Sequence, residues 1–260
     1  MHLVDWLRRL PDMWILLIVL GSIVGMTVLA IRLRIPLVEA QGEVNSEAFD
    51  SFLSVASATA VLLAFSLVQA DATVRATEDA VSKEAAAINS AHRLLFRYDD
   101  PRAAPALAGL KGYTAALIED EWPRLEHGGR SDKADRLYAE ITRITRAVEP
   151  TSPRQQAMYA EALRYLDDIA DLREQRINTA NTSLPSLFWL ATGLMIAFMI
   201  LLAARMEPRV ERLWTTGAIS GVVAVLLFLV MVVDAPFHGE SNSVSLDALR
   251  RTAQQIDKRN

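Results

Sequence analysis

The stretch SFLSVASATAVLLAFSLVQA, residues Ser51–Ala70, decides how the rest of the chain is organised. It carries no charge, and as a helix it is long enough to cross the hydrocarbon core of a bilayer, which is about 30 Å thick. Small and hydroxylated residues are more frequent in it than in the other apolar runs of the chain. This composition predicts a membrane helix that packs closely against its neighbours.

A helical projection divides this stretch into distinct faces. At about 100° per residue, one stripe collects Ser54, Ser57, Ala58, Val61, Phe65 and Val68. Alanines repeat at every fourth position on an adjacent face, where they allow close helix contacts in lipid. A weakly polar stripe with bulky constrictions is typical of a pore-lining helix. The alternative is that the hydroxyl groups bond to carbonyls one turn earlier or join one membrane helix to another.

Composition indicates separate membrane and aqueous portions and limits the chemistry. Of 260 residues, 52% are hydrophobic and 22% are charged. A net charge of −4 gives no indication of nucleic-acid binding. The chain has no cysteine, and its four histidines lack metal-ligand spacing, so neither a disulfide nor a metal site is predicted. No nucleophile with a neighbouring base and no phosphate-binding glycine loop is present, so we expect neither catalysis nor a cofactor.

Apolar runs and charged segments alternate along the chain. The apolar runs predict four membrane helices, over residues 13–31, 51–70, 184–204 and 213–233. Residues 71–183 have helical periodicity and ordinary polarity, which predicts a soluble helical bundle. The predicted fold is therefore all-α, with membrane regions at 1–70 and 184–234 and the soluble domain inserted between them. Residues 235–260 predict a tail with a short amphipathic helix.

The second membrane helix has no breaker at its end. No glycine or proline lies between Gln69 and Tyr98, so the helix is predicted to continue into the soluble segment until Asp99-Asp100-Pro101 stops it. Arg75 lies just beyond the predicted membrane exit. It either concentrates anions at a pore mouth or anchors the helix at lipid headgroups.

Charged residues occur on two helices that should run side by side. Glu84 lies on the helix that leaves the membrane, and Arg173 and Arg176 lie on the helix that returns to it. We expect an ion pair between them, with a structural role rather than an ion-binding one. Arginines flank the membrane helices on both sides, so the positive-inside rule does not decide the orientation.

Several short motifs follow one another in a fixed order. The run LLAFSLVQADATVRATEDAVSKEAAAINSAHRLL (Leu62–Leu95) joins a membrane helix to an aqueous one. Later come Glu121-Trp122-Pro123, Leu172-Arg-Glu-Gln-Arg176, LPSLFWLATG (Leu184–Gly193) and Asp234-Ala-Pro-Phe-His-Gly. Together they resemble the bacterial bestrophin-like family, over about residues 50–250. Where many relatives have glycine before the phenylalanine of the second helix, this chain has Ala64.

The resemblance implies a fold, an assembly and a function. Bestrophins are pentameric anion channels with four membrane helices per subunit, a pore-lining second helix and a cytosolic helical domain. The resemblance therefore implies a homo-oligomer in the bilayer of the bacterial inner membrane, with the soluble domain and both termini cytoplasmic. It also implies small inorganic anions as the permeating ions. Bestrophin pore necks present several bulky apolar residues, whereas this stripe offers chiefly Val61, Phe65 and Val68. We expect these three residues to form an apolar constriction and Arg75 to lie at the pore mouth. No acidic cluster matches the calcium clasp of animal bestrophins, because Asp167, Asp168 and Asp171 are more typical of a solvated face.

Two functions from different classes remain open. One is an oligomeric channel that passes anions along the second helix. The other is a non-conducting membrane scaffold or sensor whose helical domain binds a cytoplasmic partner. The channel needs Ser54 and Ser57 to face water around a symmetry axis, whereas the scaffold would bury them against another helix or lipid.

Overall fold

The protein is described here by a computed structural model, which covers residues 11–33, 42–98, 100–125, 128–180, 182–234, 237 and 244–259. The described part is helical and contains no strand, which confirms the all-α prediction. Its α-helices, in chain order, are α1 (Asp12–Leu33), α2 (Gly42–Tyr98), α3 (Ala104–Ala116), α4 (Trp122–Leu125), α5 (Asp132–Arg146), α6 (Pro153–Ala180), α7 (Ser186–Ala203), α8 (Val210–Val233) and α9 (Asp247–Asp257).

The chain divides into two compact units. The first contains the described residues of Met1–Ala72 and Ser183–Ser243, and the second contains those of Thr73–Thr182 and Val244–Asn260. Four helices of the described part are long and apolar enough to cross a membrane, namely α1, α2, α7 and α8. They coincide with the four apolar runs of the sequence. Because α9 belongs to the second unit, the C-terminal helix is not a free appendage.

The second helix is continuous from Gly42 to Tyr98, as the absence of a breaker predicts. One face of its apolar part is buried at Phe52, Ala56, Thr59, Leu63, Ser66 and Ala70. Phe52 and Leu63 share an apolar core with Ile31 of α1, Met199 of α7 and Val223 of α8. Thr59 and Ser66 donate to the carbonyls of Val55 and Leu62, at 2.7 and 2.9 Å, so their hydroxyls enter this core with a partner.

Helices α1 and α8 pack closely through small residues. A side chain at Gly217 would meet Val24 and Val28 at 3.9 Å, and one at Gly221 would meet Leu20 at 3.7 Å. The hydroxyl of Ser220 lies 3.3 Å from that of Thr27, where the two helices meet. Small residues let membrane helices approach, and a shared hydroxyl contact adds a polar bond in an apolar region.

The glycines of α1 face the other way. Gly21 and Gly25 have the same four-residue spacing as Gly217 and Gly221. A Cβ atom placed on either one would meet nothing within 4 Å among the described residues. The two pairs have the same spacing, but Gly217 and Gly221 pack against another described helix and Gly21 and Gly25 do not. Spacing alone therefore does not predict which glycine pair makes a helix contact.

Asp234 follows the last residue of α8, where a negative charge is unfavourable for the helix dipole. Its Oδ1 atom accepts a hydrogen bond of 2.8 Å from the backbone N–H of Leu184. Leu184 lies just before α7. The carboxylate at the end of α8 therefore accepts a hydrogen bond from a backbone N–H at the start of α7.

A wide helical turn separates α3 from α4. Residues Leu117–Glu121 form a π-helical turn, in which the N–H of Trp122 bonds to the carbonyl of Leu117. Pro123 follows at once; proline has no N–H, and its ring clashes with the carbonyl four residues earlier in an α-helix. The sequence predicts one uninterrupted helix over 103–122. The π turn accounts for the difference, and it places Glu121 inside the second unit.

Caps set the starts of the next two helices. The hydroxyl of Ser131 accepts from the N–H of Ala134 at 3.0 Å at the start of α5, as expected for a serine directly before a helix. The hydroxyl of Ser152 accepts from the N–H of Gln155 at 3.2 Å. Pro153 is the first residue of α6, where its missing N–H costs nothing.

Candidate functional site

The predicted stripe of α2 is exposed in the subunit. Val61, Phe65 and Val68 are 55%, 74% and 69% exposed, and Ser54, Ser57 and Ala58 are exposed as well. The stripe lies opposite the buried face that begins at Phe52, because residues half a helical turn apart point in opposite directions. The described part of the chain therefore leaves this face free for lipid, water or a second copy of the chain.

The serines of the stripe are bonded to their own helix. Ser54 donates to the carbonyl of Asp50, and Ser57 donates to that of Leu53, both at 2.8 Å. This is the local bonding that the sequence left open as an alternative to pore lining. The two readings are compatible here, since the hydroxyl oxygens remain exposed and can still accept hydrogen bonds.

Charged residues extend the stripe beyond its ends. Glu47 and Asp50 precede Ser54 by seven and four residues, which places them on the same face, and both are exposed. Arg75 is exposed on the part of α2 that belongs to the second unit. If the stripe faces an aqueous path, acidic side chains lie toward its N-terminal end and a basic one toward its C-terminal end.

The second unit contains a buried network of charges. Arg176 is fully buried; its Nε atom lies 2.9 Å from Glu84 Oε2, and its Nη2 atom lies 2.8 Å from Glu121 Oε1. The guanidinium carbon is also 5.7 Å from the centre of the Trp122 ring. Glu84 of α2 and Arg176 of α6 thus bond to each other, and the guanidinium of Arg176 also bonds to the carboxylate of Glu121.

Arg173 has different partners from the one that the sequence indicates. Its Nε atom lies 3.1 Å from both carboxylate oxygens of Glu121, and its Nη1 atom lies 2.5 Å from Asp135 Oδ1. The backbone N–H of Ser131 also donates to Glu121, at 3.3 Å. Glu121 therefore joins both arginines, and Arg173 extends the network to α5 rather than to Glu84.

The network holds Glu121, Arg173 and Arg176 in their charged forms. Burial opposes the charge of Glu121, but hydrogen bonds and positive charge from Arg173 and Arg176 outweigh it and hold the pKa of Glu121 below its usual range. The same carboxylates raise the pKa of each arginine against the effect of burial. Paired in this way, the four buried ionic side chains compensate each other's desolvation.

Tyr113 lies near this network on α3. Burial raises the pKa of its hydroxyl well above the usual value, and the charge of Glu84 raises it further. Because the phenol stays neutral, its ring adds apolar contact beside the ionic groups; the ring centre lies 5.9 Å from that of Tyr138.

Sequence reasoning missed two members of the network. Glu121 appears in the sequence only as part of Glu121-Trp122-Pro123, and Asp135 looks like one more acid near the start of a helix. The available signal was Pro123, because a proline inside a helical run requires a local change of backbone that redirects the preceding side chain. Within the described residues, no group of three His, Cys, Asp or Glu side chains is placed to hold a metal ion.

Comparison with known proteins identifies the class. The family described as Bestrophin-like domain matches residues 41–249. The chain therefore belongs to the Bestrophin-like family, and it is a multi-pass membrane protein. No curated protein matches it.

Solved structures share its fold. A bacterial Bestrophin homolog from Klebsiella pneumoniae has a TM-score of 0.65 at 15% identity, over 94% of this chain and 96% of that chain. Two single-residue variants of a homolog from the same organism have TM-scores of 0.68 and 0.63, at 13% and 16% identity. Each alignment covers 94% of this chain, with 97% and 98% of the respective variants.

Proposed function

We propose that the chain is one subunit of a homo-oligomeric membrane channel that passes small inorganic anions along the exposed stripe of α2. The observation that carries the proposal is the division of α2 into a buried face and an opposite face left uncovered by the described subunit. Membership of the Bestrophin-like family adds support, because bestrophin subunits surround a pore with their second helix.

The constriction would be apolar. Val61, Phe65 and Val68 occupy successive turns of the stripe and project furthest from the helix. Rings of such side chains around a symmetry axis narrow a pore and restrict the passage of water and ions. Ser54 and Ser57 would line the wider part, where their oxygen atoms face the aqueous path.

The ion preference would follow from the charges at the two ends. A ring of Arg75 side chains raises the local concentration of anions, whereas rings of Glu47 and Asp50 raise that of cations. The proposal assigns the preference to Arg75. Charge reversal there must then shift the reversal potential toward cations, and Asp50→Asn must shift it toward anions.

The remaining parts of the proposal concern the membrane and the second unit. We infer that the second unit and both termini are cytoplasmic in the bacterial inner membrane. The buried network of Glu84, Glu121, Arg173 and Arg176 has a structural role: it fixes α6 against α2 and α3. Its two carboxylates balance its two guanidinium charges, although Arg176 Nη1 has no hydrogen-bond partner among the described residues. Because these charges cancel, the network has little attraction for a permeating ion.

The test is ion flux through purified protein in liposomes. Phe65→Ala should raise the flux because it removes the largest side chain of the constriction. Phe198→Ala is the matched control, since Phe198 on α7 is 56% exposed and lies on no predicted pore face. Absence of flux in all variants, from protein shown to be folded and oligomeric, would contradict the channel and favour the scaffold. If the wild type prefers cations and Arg75→Glu does not alter that preference, the result would contradict only the assignment of anions as the permeating ions.

A further inference from the structure

The C-terminal helix α9 is attached to α2 by a small number of identifiable contacts. The hydroxyl of Thr252 donates to the carbonyl of Ala85 at 3.1 Å, and Asn89 Nδ2 donates to Gln255 Oε1 at 2.8 Å. Beyond the end of α9, Arg259 Nη1 donates to Asn89 Oδ1 at 2.6 Å. These contacts place α9 along the face of α2 that carries Ala85 and Asn89.

Helix α3 holds the other side of α9. Lys111 Nζ lies 2.8 Å from Asp257 Oδ1, in an exposed ion pair that contributes little to stability. The attachment depends mainly on Leu249, Thr252 and Ile256, the buried residues of α9. A helix of this length with one narrow apolar face is held by tertiary contacts and does not persist by itself in water.

His92 lies on the same face of α2, three residues after Asn89. Its side chain is fully buried, and neither ring nitrogen has a hydrogen-bond partner among the described residues. A neutral imidazole tolerates this site with one unpaired N–H, but an imidazolium would bring two donors and a charge into it.

The charged groups around His92 also disfavour a second positive charge. Arg259 is close enough for its charge to act on the imidazole. Lys111 of α3 and Asp257 of α9 neutralise each other in their ion pair. Arg93, the next residue of α2, is exposed. No carboxylate among the described residues bonds to the imidazole, so no direct hydrogen bond would compensate a proton there.

We propose that α9 is a pH-sensitive latch, docked on α2 while His92 is neutral and released when His92 takes up a proton. The proton binds a ring nitrogen from solvent as the helix leaves; the hydrogen bonds and the ion pair that attach α9 break, and no other covalent bond changes. This inference concerns only the second unit and does not depend on the protein being a channel.

The direction of the pH effect follows from the two forms of the latch. Burial, and then the charge of Arg259, lower the pKa of His92 in the docked form. In the released form His92 is exposed and regains its ordinary pKa of about 6.5. The released form therefore takes the proton first, so docking is strongest above about pH 6.5 and weakens as the pH falls below it. One proton limits the change in the docked-to-released ratio to about tenfold per pH unit.

The absence of cysteine allows a direct distance measurement. Spin labels on Ala108→Cys of α3 and Gln254→Cys of α9, both exposed positions, report whether α9 is docked in the full-length protein. At about pH 8 we expect one short distance, and at about pH 5 a growing population of longer distances. His92→Leu should keep the short distance at both pH values. A triple variant of His2, His127 and His238 to Gln should respond as the wild type does.

Three results would overturn the latch. The first is a distance distribution in the wild type that does not change with pH. The second is a pH response that persists in His92→Leu or, if that variant does not fold, in His92→Gln. The third is an ordinary pKa for His92, measured by NMR titration in the triple variant, where it is the remaining histidine.

Discussion

Glu121 is fully buried, yet it accepts hydrogen bonds from two arginines and a backbone N–H. The π turn before Pro123 is what directs this side chain inward. At the scale of single residues, one carboxylate from the π turn after α3 therefore joins two arginines of α6 to Ser131, the N-cap residue of α5.

Removal of that charge gives the first prediction. Glu121→Gln leaves Arg173 and Arg176 buried with too little negative charge, so the free energy of unfolding should fall by about 3 kcal/mol. Thermal or denaturant unfolding, followed by circular dichroism, measures the loss. Glu119→Gln is the matched control, since Glu119 lies in the same π turn but is exposed. Equal stability of the two variants would show that the network is not a major contributor.

The pH dependence of stability gives the second prediction. Hydrogen bonds and charge from the arginines keep the pKa of Glu121 lowered in the folded protein, below its unfolded value of about 4.5. Its contribution is therefore complete above about pH 4.5 and is lost as the pH falls through the folded pKa. Denaturant unfolding between about pH 6 and pH 3 should show a steeper loss in the wild type than in Glu121→Gln. Parallel curves would contradict the assignment.

At the scale of elements, the two glycine pairs give a third prediction. Gly221→Leu should destabilise the first unit, because its side chain would enter the space held by Leu20 and Val24 of α1. Gly25→Leu should have a smaller effect on the stability of the folded chain, since a Cβ at Gly25 meets none of the described residues within 4 Å. Melting of the detergent-solubilised protein measures both. A larger loss in Gly25→Leu would mean that α1 packs through its other face.

The helices themselves were largely predictable from the sequence. Apolar runs, the absence of a breaker before Asp99, and the caps at Ser131 and Ser152-Pro153 act locally, so they can be read without knowing the fold. The exposed stripe of α2 followed from periodicity for the same reason. The predicted packing row of alanines was only partly right, because Ala56 is buried but Ala64 is exposed. The π turn was missed because a continuous helix and a bulged one share the same apolar pattern.

The partners in the charge network were less predictable. Glu84 and Arg176 lie 92 residues apart, and Arg173 lies 52 residues from Glu121. The sequence shows which ionic side chains lie on apolar stripes, but which of them meet depends on how the helices turn about their axes. For this reason the Glu84–Arg176 contact was anticipated while Glu121 and Asp135 were not. The pore-lining role of the stripe stays a prediction.

At the scale of the whole molecule, the proposed pore along the exposed stripe requires an assembly. A pore of this type forms between subunits, so we expect the purified protein to be a homo-oligomer, with five subunits by resemblance to bestrophins. Light scattering of the detergent complex, corrected for bound detergent, measures the number of chains. A monomer that retains ion flux would contradict the placement of the pore on a symmetry axis.

The most direct test uses the absence of cysteine in the chain. Val61→Cys and Val222→Cys change the same residue type at similarly exposed positions, 55% and 60%, on α2 and α8. A charged, membrane-impermeant thiol reagent is added while ion flux through liposomes is recorded. If α2 lines the pore, the reagent modifies Val61→Cys and reduces its flux, and it leaves the flux of Val222→Cys unchanged. Flux that is unaffected in Val61→Cys, or reduced equally in both variants, would contradict the pore-lining role of α2.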